Sequence, residues 1–249
     1  MGVSCRRRGV AQLVARTAGG REVAGSNPVT PTRSKGWIVP AFAPGKLKDK
    51  MEDNQQSTLD SYNHSIERYI TYTASKPTGE FLVWMDEFIE LLPEAAKVLE
   101  IGSGPGRDAD YLASRGVDLM RTDAAQSFIE HQRSNGHQIV EFNPLKTIFP
   151  RQYQAVFGAG VLLHFTEPQL KTVLKNLLTE LDANGLICFS VKQGTGEDYS
   201  EHKIGLPRYF KYWERAELDS LLQAQGVKIC SVRTALDGKW LLYIGRKSD

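Results

Sequence analysis

A carboxylate and a run of glycines carry the first chemical hint in this chain. Glu100 sits in the apolar run from Lys97 to Ile101, and Gly102, Gly104 and Gly106 follow at alternate positions, with Ser103 between the first two. Glycines at that spacing let the backbone turn tightly and approach a ligand with no side chain in the way. Helical spacing resumes at Asp108. The segment therefore reads as strand, Gly-rich turn and helix start, a nucleotide-sized site at the carboxyl end of a strand. Asp123 lies 23 residues after Glu100, just past a second strand-like run from Val117 to Arg121. A carboxylate there can accept from both hydroxyls of a ribose and tolerates a nearby positive charge. The dinucleotide fingerprint needs a glycine at its sixth position; counted from Gly102, that position is Arg107. Two plainer readings compete: an exposed loop aspartate at Asp123, and a ligand-free turn at the glycines.

The elements that must position these groups follow from apolar spacing. Glu52 to Ser57 is polar, and a helix-like stretch from Thr58 to Tyr72 then carries Tyr62 and Tyr69, which can share one face. Phe81 to Leu92 repeats apolar residues at helical intervals, as expected of a helix packed on a sheet. Asp108 to Ser114 is a first crossover helix, closed by Arg115-Gly116. Ala124 to Asn135 is a second helix, Gln138 to Phe142 a third strand, and Tyr153 to Gly160 a fourth. Glu167 to Leu181 places Leu170, Val173, Leu174, Leu177, Leu178 and Leu181 on one face; Ala183-Asn184-Gly185 ends that helix before a strand from Leu186 to Lys192. Gly194 to Asp198 reads as a mobile loop on the substrate side. A helix from Glu214 to Ala224 and strands from Val227 to Val232 and Trp240 to Gly245, turning at Asp237-Gly238, complete the chain. Alternating strands and helices predict an α/β fold with a doubly wound sheet.

The pattern acid-x-Gly-x-Gly-x-Gly from Glu100 to Gly106 resembles the first motif of class I methyltransferases that use S-adenosylmethionine (SAM). From about Asp60 onward the element order is also similar to that family. The resemblance implies a mostly parallel seven-stranded sheet of order 3-2-1-4-5-7-6 with the last strand antiparallel, helices on both faces and a short N-terminal helical cap. It implies SAM as the cofactor, held by Glu100, Gly102, Ser103, Gly104, Gly106, Asp123, Phe142, Asn143 and Ala159. Phe142 would flank the adenine. The family usually has a carboxylate near Asn143 for the adenine amino group; an asparagine oxygen can accept the same bond, while a turn-forming Asn-Pro is the competing reading. The implied activity is transfer of the SAM methyl group to a small-molecule acceptor, at O, N or C. His164 is the best-placed general base, against a histidine that caps or packs the following helix. Tyr62, Tyr69, Tyr199, Arg208, Tyr209 and Trp213 could line a pocket for an aromatic or amphipathic acceptor, or form the core of a lid. Two other classes stay open: an NAD-dependent oxidoreductase, disfavoured by Glu100 and Arg107, and a non-catalytic SAM-binding module.

Composition narrows the partners. The 249 residues are 41% hydrophobic and 24% charged, as in a soluble globular protein of one domain plus an extension. No apolar run approaches the length of a bilayer span. Cys5, Cys188 and Cys230 share no metal-type spacing, so no metal and a reduced, cytoplasmic setting are expected. Residues 1–50 hold ten Lys/Arg and two Asp/Glu; residues 51–249 hold 21 and 27. The acidic core, and the lack of the Asn/Asp-Pro-Pro-Tyr/Phe segment of DNA amino-methylating enzymes, argue against nucleic acid. A basic arm can be a nucleic-acid tail or a presequence. A third reading is preferred: Gly25-Ser26-Asn27-Pro28 is what GGT TCG AAT CCC encodes, and Gly9 to Arg16 likewise resembles a D-arm. Residues 8–32 thus resemble a translated tRNA gene, with Met51 as the expected start. Residues 1–50 are expected to be a disordered extension, and 51–249 the methyltransferase domain, with cap and first helices at 51–95 and sheet core at 96–249.

Overall fold

The computed structural model describes residues 54–148 and 153–248, so the expectations placed on residues 1–50 and on Met51 lie outside the described residues. Two helices, α1 (Asn54–His64) and α2 (Ile66–Thr71), precede α3 (Gly79–Leu91). Strand β1 (Lys97–Glu100), α4 (Arg107–Ser114), β2 (Asp118–Asp123), α5 (Gln126–Ser134) and β3 (Ile139–Glu141) follow. Then come β4 (Tyr153–Ala159), a 3-10 turn (Leu162–His164), α6 (Glu167–Glu180) and β5 (Leu181–Lys192). The chain continues through β6 (Glu197–Ser200), β7 (Arg208–Lys211), α7 (Arg215–Ala224), β8 (Val227–Ala235) and β9 (Trp240–Lys247).

The main sheet has seven strands in the order β3-β2-β1-β4-β5-β9-β8. Its first five are mutually parallel, and β9 runs antiparallel to both β5 and β8. With β6 and β7 set aside, this is the expected 3-2-1-4-5-7-6 arrangement. The strand order reverses between β1 and β4, and in such sheets ligands bind beyond the carboxyl ends of the strands at that reversal. The glycine turn leaves β1 there.

Alternation along the strands divides the core. Ala155 and Phe157 of β4 pack with Trp84 and Phe88 of α3 and Leu112 of α4, whereas Val156 joins Leu177 of α6 and Leu222 of α7. That period of two is what a sheet covered on both faces requires. Trp84 is fully buried, meets Phe157 at 5.2 Å between ring centres and donates its indole N–H to the Tyr243 carbonyl at 3.2 Å. Helix α6 starts at a capping box, in which Thr166 and Gln169 each bond the other's backbone N–H, with Pro168 in the first turn.

Three boundaries differ from expectation, each for a local reason. The cap helix begins at Asn54, earlier than Thr58, and its buried residues are Asn54, Gln55, Thr58 and Ser61; a helix buried through polar side chains leaves no apolar period to read. Strand β5 begins at Leu181, which pairs with Tyr153 before the register shifts so that Ala155 faces Leu186. Asn184, at φ 60, and Gly185 lie inside the strand and take up the extra residues. The segment expected as a mobile loop contributes to a hairpin: β6 pairs antiparallel with β7, Tyr199 opposite Tyr209.

Candidate active site

The glycine loop is braced from beneath. Glu100 is buried, and its carboxylate accepts from the Ser103 hydroxyl, while its carbonyl accepts from Thr122 Oγ1 at 2.6 Å. Burial pushes the Glu100 carboxyl up to about 8. Neither Glu100 nor Ser103 lines the cavity above the loop; Gly102 and Gly104 do. Gly106, at φ 96, caps α4, and a Cβ there would come within 3.1 Å of the Arg121 guanidinium. The structure thus separates the expected loop residues. Glu100, Ser103 and Gly106 shape the turn, and Gly102 and Gly104 form the surface.

Asp123, at the end of β2, faces the same cavity. Its Oδ2 accepts from the Gly104 N–H and its Oδ1 from the Ala125 N–H, both at 2.8 Å. Burial raises its carboxyl above the usual carboxylate range, and the backbone bonds offset only part of that rise. Each oxygen is therefore fixed by one backbone donor and keeps a further acceptor site for a ligand hydroxyl. Phe142, Asn143 and Ala159 also line the cavity. Asn143 Oδ1 accepts from the Leu145 N–H at 3.0 Å, so the Asn-Pro turn and a cavity-facing amide coexist.

The opposite wall comes from the cap helices and the 3-10 turn. Tyr62, Tyr69, Phe128, Val161, His164 and Phe165 line it, with Gln55, Thr58 and Leu59 of α1. Tyr62 and Tyr69 lie on different helices because the chain breaks at Ser65, yet their rings meet edge to face at 5.4 Å. Both also touch Phe128, at 5.5 and 5.2 Å. Helix α1 is held by side-chain bonds: Gln55 donates to the His164 carbonyl at 2.6 Å, Ser61 to the Pro207 carbonyl at 2.6 Å, and Thr58 accepts from the Tyr209 N–H at 3.1 Å. Leu59 and Phe128 were not anticipated. Phe128 falls on the cavity side of α5, and only the tertiary placement of that helix reveals it.

His164 sits between two partners. Its Nδ1 lies 2.6 Å from the Tyr209 carbonyl and must donate, which leaves Nε2 to accept from the Tyr62 hydroxyl at 2.8 Å. Arg208 Nη1 in turn donates to that hydroxyl at 3.3 Å. Desolvation, then the positive charges of Arg208 and Lys192, push the His164 imidazole down to about 3. It is neutral at any working pH. Burial, partly opposed by Arg208, raises the Tyr62 hydroxyl. Of the expected acceptor-pocket residues, Tyr62 and Tyr69 reach the cavity, and Arg208 stands behind Tyr62. Trp213 does not reach it: it is fully buried in the main core. Tyr209 contributes its backbone, and its ring packs against Tyr199 at 5.7 Å. Both are corrected to scaffold: Tyr209 of β7 packs across the hairpin, and Trp213, two residues past that strand, enters the main core.

A doubly wound sheet of this order, with a glycine turn after β1, an acid ending β2 and a helical cap, is the class I SAM-dependent methyltransferase fold. Residues 98–185 match the family described as a methyltransferase domain. No curated protein matches by sequence. Among solved structures, the CcbJ methyltransferase from Streptomyces caelestis aligns with a TM-score of 0.60 and 17% identity, over 76% of this chain and 98% of its own. The Burkholderia thailandensis 1,6-didemethyltoxoflavin-N1-methyltransferase, with 1,6-didemethyltoxoflavin and S-adenosylhomocysteine (SAH) bound, aligns at 0.58 and 19%, over 86% and 94%. The DhpI–SAH complex aligns at 0.60 and 19%, over 78% and 96%. At such identities the likeness is one of fold.

Among the described residues, no group of three or more His, Cys, Asp or Glu side chains could hold a metal ion, and no helix is long and apolar enough to cross a membrane.

Proposed function

We propose that this chain transfers the methyl group of SAM to a small-molecule acceptor bound between the glycine loop and the helical cap. The observation that carries this reading is Asp123. Its two carboxylate oxygens are held by loop N–H groups and face a cavity of ≈ 660 Å³, open mouth included. Gly104 supports the fit, since a Cβ there would stand 4.0 Å from Tyr69 with nothing nearer, so its backbone is open to close approach. Asp123 would take the ribose, Gly102 and Gly104 the methionyl side, and Phe142 with Asn143 the adenine. Glu100, Ser103 and Gly106 would hold the loop in shape.

SAM bound there supplies an electrophilic methyl group on a sulfonium. The chain's own contribution is alignment and exclusion of water. Tyr62, Tyr69, Phe128 and Phe165 present aromatic surface on the cap side, and positioning a bimolecular reaction in this way is worth up to ~7–11 kcal/mol. A base at His164 is not supported by its surroundings. Moving the Tyr62 proton, which burial makes harder to release, onto an imidazole pushed down to about 3 is strongly uphill. His164 is better read as a positioning residue that fixes the Tyr62 hydroxyl and ties β7 to the 3-10 turn. Acceptor protons would then leave by way of solvent, or be absent from the reacting atom.

Calorimetric titration with SAH and NAD in parallel tests the reading. Micromolar binding of SAH, with none of NAD, is expected. NAD binding alone would overturn it in favour of an oxidoreductase. SAH binding without label transfer from methyl-labelled SAM to any cell metabolite would leave a cofactor-binding module. A cytoplasmic setting is part of the proposal, supported by the buried Cys188, whose thiol burial holds well above its usual value.

A further inference from the structure

Behind Tyr62 and Tyr69 lies a group of cations with too few anions. Arg208 is 5% exposed, yet no carboxylate is within ion-pair distance of it among the described residues. Its Nη1 donates to Tyr62, its Nη2 to the His202 carbonyl at 2.5 Å, and its buried Nε has no partner. Lys192, at the carboxyl end of β5, places its ammonium 4.3 Å from the centre of the Phe210 ring, and the Arg208 guanidinium lies 5.0 Å from that same ring. Lys203 stands 3.7 Å over the Tyr69 ring, and its own burial, then the neighbouring charges of Arg208 and Arg107, brings its ammonium down to about 8. Arg107 is the one member with a carboxylate, a two-bond pair to Asp108 at 2.7 and 2.8 Å.

Aromatic faces return only about 0.5–2 kcal/mol per cation, whereas a buried charge without a counter-charge is costly to the fold. Three cations with no carboxylate in ion-pair distance, behind one cavity wall, one of them a nearly buried guanidinium with an orphaned N–H, describe a site short of an anion; Asp108 offsets the charge around Lys203 only in part. Resting on the methyltransferase reading above, we infer that the methyl acceptor is an anionic small molecule, whose carboxylate or phosphate-type group is held by Arg208, Lys192 and Lys203 next to Tyr62. The geometry of a guanidinium fork flanked by ammonium groups suits either oxyanion. A rival use for the same cations is the carboxylate of the cofactor itself, and the test must separate the two.

A cell metabolite extract is first split on an anion-exchange resin into retained and flow-through pools, and each is incubated with the full chain and methyl-labelled SAM. Label transfer to the retained pool alone is expected. Label from the flow-through pool alone, or from both pools alike, overturns the inference. Failure of SAH to bind, or SAH binding with no label from either pool, overturns the methyltransferase reading instead. Treating the retained pool with phosphatase distinguishes the sources: loss of label assigns a phosphate ester, survival another oxyanion such as a carboxylate. Lys192→Gln, at a half-buried ammonium with no hydrogen bond to lose, should cut label transfer at least tenfold and leave the SAH dissociation constant within about twofold, with Lys192→Arg restoring transfer. Arg208→Gln should act in the same direction. A tenfold loss of SAH affinity in Lys192→Gln, or unchanged transfer by it, would show that the cations do not serve the acceptor.

Discussion

The glycine loop offers a prediction whose size can be worked from the structure. Gly102 and Gly104 both have left-handed backbones, at φ 65 and 54, but different surroundings. A Cβ on Gly102 would fall 2.8 Å from Val161 Cγ2 and 2.9 Å from Val161 Cβ, distances at which something must move. A Cβ on Gly104 would find its nearest neighbour at 4.0 Å, on the Tyr69 ring. Gly102→Ala therefore suffers two penalties, about 1–2 kcal/mol for the left-handed conformation and about 1–3 kcal/mol for overpacking against the half-buried Val161. Gly104→Ala suffers only the first. The ligand-free Gly102→Ala protein should be destabilised by about 2–5 kcal/mol and Gly104→Ala by about 1–2, read from urea unfolding. SAH affinity reverses the emphasis: Gly104→Ala puts a methyl group into the cavity and should lose at least about tenfold, roughly 1.4 kcal/mol. The overpacking share is probed by a double-mutant cycle with Val161→Ala, which removes the clashing Cγ2 while the Cβ at 2.9 Å stays, so about 1 kcal/mol of coupling, part of the overpacking penalty, should return. A coupling of zero, or equal destabilisation by the two alanines, would refute the account of why each glycine is there.

Three further outcomes follow from the groups around the loop. Asp123→Asn exchanges an acceptor for a donor facing either Gly104 or Ala125, and should weaken SAH by about 10–100-fold, equivalent to roughly 1.4–2.8 kcal/mol, as measured by calorimetry; unchanged affinity would remove Asp123 from the site. Glu100, raised to about 8 in the fold from an ordinary value of 4.5, holds a proton there that the unfolded chain releases. Its stabilisation is fully present below about pH 4.5 and is lost as pH rises through 8. Urea unfolding of Glu100→Gln should therefore show a flatter decline in stability from pH 5 to 8 than the parent protein, and identical slopes would contradict that burial effect. His164 stays neutral across that range, so the kcat profile should carry no inflection between pH 6 and 7; one that vanishes in His164→Asn would reinstate the histidine as a base.

What could be read from the residues alone tracks how local the physics is. The sheet order follows from strands and helices alternating along the chain. Gly102, Gly104 and Asp123 were visible because a tight turn and a carboxylate at a strand end are local requirements. Glu100 shows the limit: its position after an apolar run was plain, but only the fold shows its carboxylate turned onto Ser103 and away from the cavity. The cap shows another. Asn54, Gln55, Thr58 and Ser61 are buried through hydrogen bonds to residues 109 to 151 positions away or within their own helix, and no hydrophobic period announces such a helix. Trp213 departs in the opposite direction: an aromatic near a lid suits core as well as pocket, and the choice is made where the chain leaves β7 and bridges to Gln193.

The cations are the most instructive case. Lys192, Lys203 and Arg208 come from the end of one strand, a connecting turn and the start of another, and each taken singly is an ordinary surface charge. Folding the β6–β7 hairpin over the cap gathers them beside Tyr62 and Tyr69, and the carboxylate that would normally accompany them is missing from the described surroundings. Net charge conceals this, because residues 51–249 are acidic as a whole. A fold that is acidic over residues 51–249 and sets unpaired positive charge behind Tyr62 and Tyr69 bears that electrostatic cost in the free state and recovers it only when an anion arrives. Substrate binding can then draw on a repulsion built into the resting fold, and acceptor affinity should depend on salt more steeply than cofactor affinity does.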